Sequence, residues 1–98
     1  MTDLATVLQV EPITEFEIKR SEGISEKMKK KCLVLLVGFN TMYCEAFDKI
    51  AEGIEAFQLK EGQKVMVQYE IKVTQVKAKT DGSVFYKNNI KITNLNTF

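Results

Sequence analysis

The sequence predicts a mainly β domain: a five-stranded Greek-key barrel with one short helix between its third and fourth strands. Three observations carry that reading. Residues 64–73 alternate, with Val65, Val67, Tyr69, Ile71 and Val73 on one side and Lys64, Met66, Gln68, Glu70 and Lys72 on the other. This is the period of a strand with one apolar and one mostly polar face. Residues 84–92 repeat the pattern, with Val84, Tyr86, Ile90 and Ile92 opposed to Phe85, Lys87, Asn89 and Lys91. Asp81-Gly82 lies between the two runs, so they read as a β-hairpin with a polar tip over residues 77–83. Helical spacing, in Ile50, Ile54 and Phe57, occurs before this hairpin and after three strand-like runs.

The earlier elements follow in order. Residues 4–13 form a first strand with Leu4, Leu8 and Val10 in phase. Pro12 marks its end or a bulge, because proline cannot donate to a ladder. Phe16-Glu17-Ile18 extends the strand after the bend. Residues 19–27, with Ser21, Gly23 and Ser25 among mixed charges, read as a loop. Residues 28–39 form a second strand whose centre, 32–37, is apolar on both faces. Such a strand is either sandwiched inside the fold or covered by a partner. Residues 38–41 allow a turn, and 41–47 give a short third strand. Asp48 is placed to cap a helix running to about Phe57. Gly53 weakens that helix by about 1 kcal/mol relative to alanine, so it leans on tertiary contacts. Glu61-Gly62 then turns the chain into the hairpin. Three strands, a helix and two strands in a single 98-residue domain match the OB-fold arrangement.

Composition excludes several functions. There is no histidine, and Cys32 and Cys44 are the only cysteines, so no nitrogen–sulfur zinc constellation can be built. Both cysteines sit in apolar strands and read as buried free thiols, although the spacing alone permits a disulfide. No nucleophile–base pair, glycine-rich phosphate loop or metal-ligand cluster appears, so neither an enzyme nor a cofactor is expected. Asp48, Glu52 and Glu55 read as a solvated helix face. The first ten residues lack the basic and apolar regions of a signal peptide. The longest apolar run is too short to span a bilayer. A cytoplasmic protein with reduced thiols, away from membranes, is the expectation. Net charge is only +1, but the charges are segregated. Residues 16–31 carry six bases and three acids, and residues 62–98 six bases and two acids. Residues 45–61 carry two bases and five acids.

Phe47-Asp48-Lys49-Ile50-Ala51-Glu52 resembles the aromatic-x-Lys-x-Ala-Glu segment of bacterial single-stranded-DNA-binding proteins. Residues 59–67, with their Leu-x-x-Gly-x-x-Val-x-Val pattern, are similar to the segment leading into the fourth strand of that family. Thr80-Asp81-Gly82 followed by Phe85-Tyr86 is similar to the family's last hairpin. A group of small bacterial OB domains of unknown function shares the outline. The likeness covers roughly the second half of the chain. It departs from the family in having no tryptophan, a residue on which many members stack bases.

The resemblance implies binding of single-stranded nucleic acid, DNA before RNA, with little sequence preference. That task needs cations along the phosphates and flat side chains under the bases. An OB barrel supplies them from the face of its second and third strands and from its first and last hairpin loops. The cation candidates are Lys19, Arg20 and Lys27 in the first loop, Lys29 and Lys31 at the start of the second strand, and Lys77 and Lys79 in the last loop. Lys87 and Lys91 share the outward face of the last strand with Phe85. The bland alternative for these lysines is to keep strand edges soluble. Tyr43 and Phe85 are the stacking candidates; Tyr43 would otherwise be core, and Phe85 a contact to another subunit. Phe39, Phe47, Phe57 and Tyr69 read as core. The competing function is an oligomeric interaction module, such as a homodimer, that binds protein rather than nucleic acid.

Overall fold

A computed structural model describes the backbone of residues 1–98 and every side chain but that of Arg20. The chain runs β1 (Thr2–Val10), β2 (Thr14–Ser21), β3 (Ile24–Val37), β4 (Asn40–Phe47), α1 (Asp48–Phe57), β5 (Lys64–Lys77) and β6 (Val84–Thr97). The sheet order is β1-β5-β6-β4-β3-β2, and β1 also pairs with β3. That extra pairing closes β1, β3, β4, β6 and β5 into a five-stranded barrel. β2 is the continuation of the first strand beyond the bend at Pro12, as the sequence suggests. The helix stands between the third and fourth barrel strands. β4 and β6 run parallel and share only Cys44↔Ile90 and Glu45↔Lys91; the other pairings are antiparallel.

Side chains that alternate inward fill the barrel. Ala5, Val7, Leu33, Leu35, Cys44, Val65, Val67, Tyr69 and Ile92 are all buried. The two apolar faces of residues 32–37 therefore separate: Leu33 and Leu35 enter the core, while Val34 and Leu36 are half-buried on the outside. Cys32 and Cys44 are free thiols on opposite faces of the β3–β4 ladder, in which Cys32 opposes Glu45 and Leu33 opposes Cys44.

Several expectations need correction. In β1 the inward residues are Ala5 and Val7, whereas Leu4 and Leu8 are exposed. A register shift between Val7 and Gln9 changes the phase, and Val10 then packs against the core. Residues 19–27 are not a loop. β2 and β3 form a long hairpin, pairing from Thr14↔Lys30 to Ser21↔Ile24 and turning at Gly23, whose φ of 78° suits glycine. Asp48 does not cap the helix: it is the first helical residue, at φ 49°, and its Oδ1 accepts the Lys29 backbone N–H at 3.1 Å. Ala51 and Ile54 are the buried helix residues, and Phe57 is 42% exposed. Phe39, expected in the core, stands wholly exposed at the tip of the β3–β4 turn.

The β5–β6 hairpin outruns the barrel. Tyr69 and Ile92 are its last buried pair; Ile71, Val73, Val84 and Tyr86, on the same face by register, are 47–71% exposed. The distal residues 70–77 and 84–89 thus form a two-stranded arm rather than barrel wall. Its tip is closed by Ala78 N–H to Ser83 O at 2.8 Å and by Ser83 N–H to Asp81 Oδ1 at 2.9 Å.

Candidate nucleic-acid interface

Directly paired residues share a sheet face, so register decides which side chains meet. On the outer face of the barrel, β3 presents Met28, Lys30, Cys32 and Val34. Thr14 and Phe16 lie beside them on β2, and Phe47, Glu45 and Tyr43 on β4. The parallel pairing of Glu45 with Lys91 carries this face onto β6, where Lys91, Asn89, Lys87 and Phe85 follow in alternation. β5 adds Glu70, Lys72 and Thr74 opposite them. A single surface therefore runs from the β2–β3 hairpin, across β4, to the β5–β6 arm.

Aromatic and cationic groups alternate along it. Phe16 meets Phe47 edge-to-face with centroids 6.4 Å apart, and the Lys91 ammonium sits 6.0 Å above the Phe47 ring. Phe16, Ile18, Met28, Phe47 and Lys91 line one open depression of this surface. Tyr43 and Phe85 are each about half exposed, at 52% and 51%. Lys30 Nζ lies 3.9 Å from Glu45 Oε1, a loose pair that leaves the ammonium available.

A second depression, of about 350 Å³, opens at the bend between β1 and β2 and is lined by Glu11, Pro12, Thr14, Lys30, Cys32 and Tyr43. The Tyr43 hydroxyl donates to Glu11 Oε2 at 2.7 Å. Its hydrogen bonds with Cys32 and Glu11 hold the phenol protonated far above its usual range. Burial, its main cause, likewise raises the Cys32 thiol.

The expected site residues divide three ways. Tyr43, Phe85, Lys87 and Lys91 come together on the outer face. Lys19 and Lys27 lie on the opposite face of the β2–β3 hairpin, paired with Ser25 and Glu17. Lys77 is on the opposite face of the arm with Val84, and Lys79 is in its turn. The side chain of Arg20 lies outside the described residues. Lys29 and Lys31 are both paired with carboxylates of the helix. Lys29 Nζ donates to Glu52 Oε1 at 2.8 Å, and this bond raises its pKa. Lys31 is only 4% exposed; its ammonium donates to the Glu11 carbonyl at 2.8 Å and to the Glu55 carboxylate. Asp48, Glu52 and Glu55 are accordingly partners of β3 and not an idle solvated face.

Sequence reasoning missed Phe16, Phe47 and Lys72 as members of this surface, and read Lys30 only as part of the basic run 29–31 that opens the second strand. The signal was there as phase. Lys30 alternates with Cys32 and Val34, and Lys72 falls on the polar side of the alternation in residues 64–73. The strand pairings needed to join those phases were absent.

Among protein-family profiles and curated sequences nothing matches the chain. Among solved structures, it is similar to the second OB-fold domain of replication protein A from Methanococcus maripaludis, determined by NMR, with a TM-score of 0.68. Identity is 20%, over 99% of this chain and 81% of that one. The likeness establishes the fold as an OB-fold. Among the described residues no helix is long and apolar enough to cross a membrane.

Proposed function

We propose that this OB-fold domain binds single-stranded nucleic acid, DNA in the first place, with little overall sequence preference. The observation that carries the reading is the outer face itself. Between two protruding hairpins it presents Phe16, Phe47, Tyr43 and Phe85 interleaved with Lys30, Lys72, Lys87 and Lys91. Cations that follow the phosphates and rings that stack bases are the two requirements of such binding. The fold is also that of a domain of a replication protein, which is in keeping with this reading.

The test is fluorescence anisotropy with labelled oligo-dT at low and high salt. Binding should weaken steeply with salt as counterions are released. No binding at micromolar protein in low salt would overturn the reading. Lys87→Glu with Lys91→Glu should abolish binding, and Lys77→Glu with Lys79→Glu should weaken it less. Lys19→Glu with Lys27→Glu, on the opposite face, should leave it nearly unchanged.

A second reading, self-association, is supported by the exposed apolar row Ile71, Val73, Val84 and Tyr86 on the arm. A monomer by light scattering at high protein concentration would remove it.

A further inference from the structure

The depression at the β1–β2 bend differs from the rest of the outer face. Elsewhere that face offers rings and ammonium groups, and its carboxylates, Glu45 and Glu70, lie beside Lys30 and Lys72 at 3.9 and 3.5 Å. Here a carboxylate is fixed beside the ring. Glu11 is held in place from its backbone, its N–H donating to Cys32 O at 3.1 Å and its carbonyl accepting from Lys31 Nζ at 2.8 Å. Its side chain is oriented by the Tyr43 hydroxyl on Oε2. Oε1 has no hydrogen-bond partner among the described residues. Lys30 lines the same depression.

Resting on the single-strand reading above, we infer that this depression is a base subsite that prefers guanine. A carboxylate near phosphates is repulsive unless it accepts hydrogen bonds from the ligand. Guanine alone among the bases presents two adjacent donors, N1–H and the N2 amino group, on its pairing edge. Thymine offers a single N3–H flanked by two carbonyl oxygens that a carboxylate repels. With the base stacked on the Tyr43 ring, Glu11 accepts from N1–H and N2–H. Lys30 donates to O6, the acceptor that guanine carries next to N1. The cleft thus brings together a flat surface, an acceptor and a donor, the three groups that guanine needs. The remainder of the groove stays indifferent to sequence, so the preference concerns one nucleotide position.

The experiment compares oligo-dT with the same oligomer carrying one central guanine, inosine or cytosine. Guanine should raise affinity about fivefold to tenfold, the scale of one well-placed bidentate base contact. Inosine, which lacks the N2 amino group, should recover only part of that gain. Glu11→Ala should erase the gain while leaving oligo-dT affinity within about twofold, since the carboxylate makes no favourable contact with thymine. Glu11→Gln keeps an acceptor for the Tyr43 hydroxyl and should lose most of the gain as well. Equal affinity for the guanine and thymine oligomers would overturn the subsite and leave the single-strand reading standing. A guanine gain that survives Glu11→Ala would overturn the role of Glu11. Failure of every oligomer to bind at low salt would overturn both readings.

Discussion

Single residues show how sequence and environment part company. Lys31 belongs to a basic run that reads as a phosphate site, yet it is a buried tether between β3, the bend after β1 and the helix. Breaking such a tether from its exposed end should cost more than replacing its buried end. Glu55→Ala strands a buried ammonium with one remaining acceptor and should lower stability by about 1–2 kcal/mol in urea denaturation. Lys31→Met, which packs the methylene stem and removes the charge, should cost less and leave oligo-dT binding intact. For Phe85, half exposed on the arm, truncation to alanine should weaken oligo-dT binding by an amount equivalent to about 1–3 kcal/mol if one base stacks there. Cys44 and Tyr69 set an alkaline limit. Burial pushes the Cys44 thiol from 9.0 up to about 11. The hydrogen bond to Asp3, then burial, pushes Tyr69 from 10.0 up to about 12. The fold therefore favours the protonated forms, and the unfolded chain ionises first as pH rises. Their contribution is full below about pH 9 and is lost progressively towards about pH 12. Melting temperature should fall across that window, and Cys44→Ala should flatten the decline between about pH 9 and 11.

At the scale of elements, the helix and the arm are held differently. The helix ends at Gln58 in the left-handed conformation, φ 51°, with its N–H donating to Glu55 O. Glycine adopts that conformation without strain, so Gln58→Gly should raise stability by about 0.5–1 kcal/mol, read from the denaturation midpoint. The arm is two strands with no third layer, a construction that is marginal by itself. Amide hydrogen exchange in residues 70–77 and 84–89 should be fast beside that of the buried barrel strands. Equal protection in arm and barrel would mean that something covers the arm. The alternation of residues 64–73 and of residues 84–92 made both hairpin strands legible. It did not show where the barrel stops, because Ile71 and Val73 carry the same apolar code as Val65 and Val67. Alternation reports which residues share a face, not whether another layer lies over it.

For the whole molecule, the charge segregation seen along the chain is reorganised by topology. The two basic segments do not simply surround a groove. Lys19, Lys27, Lys29, Lys31 and Lys77 point to the helix side or the far face, and Lys30, Lys72, Lys87 and Lys91 remain on the outer face. A logarithmic salt plot of oligo-dT binding should therefore have a modest slope, about −2 to −3 at roughly 0.7 per neutralised phosphate. A slope much steeper than that would place additional lysines on the strand.

The sequence by itself determined the element order, the break at Pro12, the helix bounds and the β5–β6 register face that joins Phe85, Lys87 and Lys91. All of these are local: period, turn chemistry and proline act within a few residues. Only the tertiary structure decided that Lys29 and Lys31 serve the helix, that residues 19–27 form hairpin rather than loop, and that Phe16, Tyr43, Phe47 and Lys91 lie on one surface. Those outcomes depend on cross-strand register and on the two-residue parallel contact of β4 with β6. A one-residue change in either would turn every side chain to the other face.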